Sequence, residues 1–356
     1  MSPQDIGGAP PDEALRFPHG VAPAPGATVE VAPGVHWLRM PLPFALDHIN
    51  LYLLDEGADG WTIVDTGIDT AATRAIWESQ FAGTLGGRPV ARVIVTHFHP
   101  DHIGLAGWLT GRWPDAPLWI SETEWLFARM LSLAPEDDGA RETRRRFYGR
   151  MGLDAESAAS LVERPSAYPS RVSPIPQSFR RIAEGDTLMI GSRTWRVVVG
   201  RGHAPEHVCL HCPELGLLLS GDQVLPRISP NVSVWPNEPE ADPLSHFLDS
   251  LERIREAVPP DVLVLPSHNL PFTGLHTRID QLVRHHRLRL AAIEEACAAG
   301  PRSTAEIVPL LFRRALDTHQ LGFAVGEALA HLHWLQSRGR LRAIDREDGV
   351  RLFAAA

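Results

Sequence analysis

Lysine is absent from this chain of 356 residues, and every one of its 34 Lys-or-Arg positions is Arg. That absence excludes a Schiff-base lysine and the phosphate-binding lysine of a P-loop. Cysteine is scarce as well. Cys209, Cys212 and Cys297 cannot build a disulfide framework, which points to a reducing compartment, the cytoplasm. No apolar run approaches the roughly 18 residues a membrane span requires. The opening MSPQDIGGAPPDEALRFPHG has neither the basic nor the apolar region of a signal peptide. No G-x-S-x-G elbow offers a serine nucleophile, and no segment repeats. A net charge of -9 argues against a general nucleic-acid binder.

The length allows one large core plus an accessory domain. Residues 1–28 are rich in Pro, Gly and Ala and read as a loose tail. Short apolar strands follow, among them VHWLRM, INLYLLDE, WTIVDTG and ARVIVTH, with a helical TAATRAIWESQF between them. From residue 122 to 180 strand signals vanish and helical pieces such as ETEWLFARMLSL and ARETRRRFYGRMG dominate. Strands resume with DTLMIG, TWRVVVG, EHVCLHCP and LGLLLSGD, and DVLVLPSH is the last before a helical C-terminal part, 276–356.

Several of these strands finish on a residue able to bind metal or support a ligand: Asp65, His97, His203, Asp222 and His268. An apolar strand followed at once by His or Asp puts the polar group at the sheet's edge, and repeating this on five strands converges them on one mouth. Imidazole and carboxylate are ligands of zinc and similar divalent ions. With His99, Asp101 and His102 of THFHPDH added, the donors are too many for one tetrahedral ion and suit two.

THFHPDH resembles the H-x-H-x-D-H signature of the metallo-β-lactamase fold superfamily, and VDTG resembles that family's early aspartate motif. The resemblance covers residues 29–275 and implies an α/β fold, the αββα sandwich. Residues 122–180 would be a helical insertion acting as a lid. The C-terminal part, with RSTAEIVPLLF and GFAVGEALAHLHWLQSRGRLRAI, resembles the small winged-helix-like domain appended to some members. Carried over, His97, His99 and His203 would hold one metal and Asp101, His102 and His268 the second. Asp222 would bridge them, and Asp65 would orient a ligand. The sequence departs from the family's usual pattern at PSHN, where relatives usually have glycine before the last histidine.

Two zinc ions fit this ligand set, which also accepts iron or manganese. Such a pair lowers the pKa of a shared water and polarises a carbonyl or phosphoryl oxygen. Asp101, between the metals, is placed to pass a proton to the leaving group. The expected substrate is a small thioester, ester or lactone of acyl-CoA or acyl-glutathione type. A phosphodiesterase or ribonuclease and a mononuclear iron persulfide dioxygenase are the alternatives. Arg227 and Asn231, in the loop after Asp222, and Tyr148 of the insertion are candidate substrate contacts. Trp125, Phe127, Met130 and Phe147 would line an acyl pocket or dock the lid.

The bland readings weigh more elsewhere. His207 and the C-x-x-C of Cys209 and Cys212 read as structural, and the pairs His285/His286 and His331/His333 as solvated helix faces. The basic RETRRRFYGR reads as a solvated face that could also attract an anionic substrate. The C-terminal part carries twelve Arg against nine acidic residues. That excess is too weak for DNA reading, so packing or homodimerisation is its expected role.

Overall fold

The computed structural model describes residues 14–356. The first thirteen positions of the expected tail lie outside the described residues. Further along that stretch, Arg16 bridges to Thr273, with Thr273 N donating to Arg16 O at 2.9 Å.

One sheet holds seven strands in chain order, β1 (Thr28–Ala32), β2 (Val35–Pro41), β3 (His48–Asp55), β4 (Trp61–Val64), β5 (Val90–Ile94), β6 (Leu118–Ile120) and β7 (Arg180–Arg181). The first four pair antiparallel, and β4, β5, β6 and β7 run parallel. A second sheet takes β8 (Thr187–Ile190), β9 (Arg193–Gly200), β10 (His207–Cys212), β11 (Leu217–Gly221), β12 (Leu263–Pro266) and β13 (Phe272–Thr273), in reverse order across the sheet. A third, small sheet is formed by β14 (Arg302–Ser303), β15 (Leu341–Asp345) and β16 (Arg351–Ala355), with β16 central.

Period-two alternation divides the core. Along β3, Ile49, Leu51 and Leu53 face one apolar cluster and Tyr52 and Leu54 the other. The first cluster includes Trp77 and Phe81 of helix α1 (Ala71–Ala82). The second joins Trp37, Val64 and Ile94 of the large sheet to Trp195, Val199, Leu210, Leu219 and Leu265 of the second. Two mixed sheets thus share one apolar layer, with helices outside, the sandwich class expected. A strand between two cores must be apolar on both faces, which is why INLYLLDE reads as a near-continuous run.

The helices are α1, α2 (Pro100–Ile103), α3 (Ala106–Arg112), α4 (Glu122–Leu133), α5 (Asp138–Gly149), α6 (Ala155–Val162), α7 (Pro243–Ala257), α8 (Leu275–Ala298), α9 (Thr304–Leu311) and α10 (Thr318–Ser337). Asp137, Asp154 and Asp317 cap α5, α6 and α10 by accepting backbone N–H groups. None of the described helices is long and apolar enough to cross a membrane.

The chain divides into two compact units. The first combines the described residues up to Ala134 with Ala167–Pro230 and Leu251–Ile279; the second combines Pro135–Ser166, Asn231–Ser250 and Asp280–Ala356. The expected lid is therefore divided, with α4 in the first unit and α5 and α6 in the second. The basic α5 is largely neutralised, since Arg141, Arg144 and Arg145 pair with Asp138, Glu136 and Glu142.

One expectation is overturned in the second unit. His285, His286, His331 and His333 are buried, not solvated. His331 Nδ1 lies 2.7 Å from Glu327 O and its Nε2 lies 3.1 Å from His286 Nδ1, while Arg289 pairs with Glu327. Helix α10 buries residues around most of its circumference, from Gly322 to Leu335. A polar residue on such a helix has no solvent face to occupy and takes a buried partner instead.

Candidate metal centre

The first unit brings all seven predicted ligands together. His97, His99, His203 and Asp222 form one group of donors and Asp101, His102 and His268 another, the donor atoms within each group lying within 4.8 Å of one another. In the first group His97 Nε2 lies 2.8 Å from His99 Nδ1 and 3.2 Å from His203 Nε2. Asp222 faces both groups. Its Oδ2 is 3.4 Å from His203 Nε2, and its Oδ1 is 3.3 Å from His268 Nε2 and 3.6 Å from His102 Nε2. Asp101 Oδ2 stands 3.5 Å from His268 Nε2 and 3.8 Å from His102 Nε2.

Strand ends account for the convergence. β4 and β5 run parallel and end before Asp65 and His97; β11 and β12, also parallel, end before Asp222 and His268. Two glycines permit the close approaches. Gly221 has φ +51°, and a Cβ there would lie 2.4 Å from His207 Cε1. A Cβ on Gly104 would meet Pro100 O at 2.3 Å and Gly67 O at 2.6 Å, where the VDTG turn packs on α2.

Asp65 adopts φ +60°, a left-handed conformation in which few side chains other than Asn and Asp are comfortable. Its Oδ1 accepts from Thr96 N at 2.8 Å; its Oδ2 accepts from Thr96 Oγ1 at 2.9 Å and from His102 Nδ1 at 2.7 Å. With the Nδ1 proton held there, His102 keeps Nε2 for the cluster. His268 is set the same way, its Nδ1 lying 2.8 Å from His48 O. The atypical PSHN loop closes with Asn269 at φ +70°, its N–H donating to His48 Nε2.

The electrostatics favour cations. Burial, then the neighbouring imidazoles, holds His97 and His99 well below the usual histidine range, so both are neutral imidazoles. Burial also opposes charge on His102, but Asp65, Asp101 and Asp222 outweigh it and raise that histidine well above its ordinary value. Asp222 is lowered well below the carboxylate range: burial raises it, and His268 and His102 overcome that. His102 Nε2 and Asp222 Oδ1 are buried and lack a hydrogen-bond partner. Such orphans are costly unless a ligand satisfies them. Imidazole nitrogens and carboxylates with unmet lone pairs fit divalent cations.

Reasoning from sequence missed several supporting residues. Glu124 is fully buried, accepting from Phe98 N at 2.9 Å and Glu206 N at 2.6 Å, and burial pushes its carboxyl up to about 8. Tyr168 Oη donates to Phe98 O at 2.6 Å. His207, read as structural, lies under the site; its Nε2 accepts from Asp222 N at 3.0 Å, and burial lowers it to about 3. Cys209 and Cys212 are buried free thiols of β10. For Glu124 and Tyr168 no spacing signal existed, because their partners are distant in sequence.

The candidate substrate contacts are divided between the two units. Arg227 is exposed in the first unit, its guanidinium 5.1 Å from the centre of the Phe17 ring. Asn231 and Tyr148 belong to the second unit, where Asn231 hydrogen-bonds Glu327 and Tyr148 packs edge-on against Phe147. Trp125 stacks on Phe179 and donates to Pro176 O, which docks α4; Phe127 lies 5.5 Å from Phe98.

Comparison with known proteins agrees with this geometry. Residues 45–268 match the Metallo-beta-lactamase superfamily, and residues 290–356 match the Metallo-beta-lactamase-like, C-terminal domain. The chain is similar to the crystal structure of a Beta-lactamase domain protein from Burkholderia ambifaria, 50% identical, with a TM-score of 0.88 over 96% of this chain and 98% of that one. It is 24% identical to the Probable metallo-hydrolase YqjP of Bacillus subtilis (strain 168), over 84% of this chain and 91% of the relative. It is also 24% identical to the Atrochrysone carboxyl ACP thioesterase of Passalora fulva, over 80% and 69% respectively.

Proposed function

Because the chain belongs to the metallo-beta-lactamase superfamily and is a metallo-hydrolase by that membership, we propose that it cleaves a small thioester, ester or lactone at a two-ion centre. The observation carrying the two-ion reading is Asp222, whose separate oxygens face the two donor groups. His97, His99 and His203 would hold one divalent ion and Asp101, His102 and His268 the other, zinc by donor chemistry, with iron or manganese the alternatives. The relative named a thioesterase supports the acyl substrate class.

When bound, such ions lower the pKa of a water and polarise the carbonyl oxygen. The rest is the work of this chain's residues. Asp65 and the His48 carbonyl hold the Nδ1 protons of His102 and His268, so both rings present Nε2. His207 orients Asp222 through the backbone N–H. Asp101 keeps a fifth of its side chain exposed, so the carboxylate oxygen it does not turn toward His102 and His268 can take the water's proton and deliver it to the leaving thiolate or alkoxide. Arg227 stays the candidate substrate contact within this unit.

For residues 276–356 we propose the winged-helix-like reading, supported by the order α8, β14, α9, α10, β15, β16. Its role would be packing or self-association, not nucleic-acid reading. Three buried free cysteines support a reducing compartment, the cytoplasm. The test of the substrate class is a hydrolysis panel on the zinc-loaded protein with acyl-CoA and acyl-glutathione thioesters, lactones, bis-nitrophenyl phosphate and single-stranded RNA. Turnover confined to the acyl substrates is expected. Turnover confined to the phosphodiesters would refute the acyl reading.

A further inference from the structure

The two donor groups are oriented by different devices. In the second group, His102 and His268 each have Nδ1 anchored, on Asp65 and on the His48 carbonyl. Their rings are thus set one by one. In the first group His97 is anchored likewise, its Nδ1 lying 3.0 Å from Thr96 Oγ1, but His99 presents Nδ1 itself to the cluster, so the position of its main chain sets the nitrogen. His203 sits beyond the end of β9 on the loop that leads to β10. The first group therefore depends on how the loop of residues 97–99 is placed against the loop of residues 203–206.

One side chain joins those loops. Glu124, in the first turn of α4, accepts the N–H of Phe98, between His97 and His99, with Oε2, and the N–H of Glu206 with Oε1. The link is reciprocated: Glu206 accepts from Thr123 N at 3.1 Å, and its carbonyl accepts from Ser121 Oγ at 2.8 Å. Ser121 makes no cap bond of its own to α4, so Glu206 takes over that end of the helix. The far side of the Phe98 peptide is held by the Tyr168 hydroxyl. A buried carboxyl group whose two oxygens each take a main-chain N–H is a rigid strut between the strands of chain it joins.

We propose that Glu124 is a positioning residue that sets the metal affinity of the His97, His99 and His203 group by fixing the spacing of these two loops, while the Asp101, His102 and His268 group is independent of it. This rests on the two-ion reading above. It predicts that the two ions can be uncoupled by a change that touches no ligand.

The test is zinc binding by the full chain in competition with a chromophoric chelator, for wild type and Glu124→Gln. Glutamine keeps the shape but offers one acceptor oxygen to two N–H donors. One equivalent should weaken by about ten- to a hundred-fold, the usual effect of losing a residue that supports a ligand, and the other should bind as in wild type. Equal affinities in variant and wild type, or equal weakening of both equivalents, would overturn the proposal. A general loss of stability cannot imitate the selective pattern. Tyr168→Phe, which frees the Phe98 carbonyl, should give the same pattern more mildly and serves if the glutamine variant does not fold. A wild type binding a single equivalent would sink the two-ion reading instead; the strut then stands or falls on whether Glu124→Gln weakens that one.

Discussion

Asp65→Asn isolates the support of His102. Asparagine tolerates the left-handed backbone that Asp65 adopts, so the substitution leaves the main chain unstrained and tests the side chain alone. The aspartate accepts three hydrogen bonds, from Thr96 N, Thr96 Oγ1 and His102 Nδ1. An amide has one acceptor oxygen, and either orientation fails somewhere. With the oxygen toward Thr96 N, the NH2 faces His102 Nδ1, forcing that nitrogen to accept and moving the ring proton to Nε2, where it blocks ligation. With the oxygen toward His102, the NH2 faces the buried N–H of Thr96 and leaves it unsatisfied, at about 1–3 kcal/mol. The loss must therefore appear as weaker zinc binding or as a less stable metal-free protein, and the two together should total about 1–3 kcal/mol. Urea unfolding of the chelated protein and a zinc competition titration measure the two halves. If both match wild type, the assignment of Asp65 as the residue that sets the His102 tautomer is wrong.

Asp101→Ala should abolish hydrolysis while the far-ultraviolet circular dichroism spectrum stays that of the wild type; wild-type turnover would refute the proton role of Asp101. Gly221→Ala places a methyl group against the buried His207 ring at a left-handed position. It should lower stability by about 1–3 kcal/mol, read as a drop in the urea midpoint, and an unchanged midpoint would contradict the packing. Acid should destabilise the second unit through His331, which burial lowers from 6.5 to about 3. The folded state then binds fewer protons than the unfolded chain below pH 6.5, so this contribution is complete above that pH and lost as pH falls toward 3. At pH 5 the loss is about 2 kcal/mol. His286 is shifted in the same direction. The drop in urea midpoint between pH 7.5 and 5 should be smaller in His331→Gln than in wild type, and an identical drop would refute the argument.

Four of the seven candidate ligands, His97, His203, Asp222 and His268, were legible because each follows an apolar strand, and His99, Asp101 and His102 belong to the motif that His97 opens. A run such as LGLLLSGD can place Leu217 to Leu219 between the sheets only by letting Asp222 emerge at the edge. The sandwich was legible for the same reason, in the two-sided apolar β3. What was not legible comes from contacts made across the fold. Nothing near Glu124 announces that its carboxylate takes the N–H of a residue 26 positions away, and the His48 carbonyl meets His268 across 220 residues. The histidines of α8 and α10 were misread because histidine on a helix looks solvated until the neighbours are known. The division of the chain at Ala134 and Ser166 was equally hidden, since α4, α5 and α6 read as one continuous helical insertion.

Elemental analysis of the purified full chain, paired with hydrolysis assays on the same preparation, tests the central claim most directly. About two zinc ions per chain, with thioester or ester turnover that a chelator removes and zinc restores, is the result this account predicts. One iron per chain with oxygen uptake on a persulfide and no hydrolysis of any substrate would contradict it.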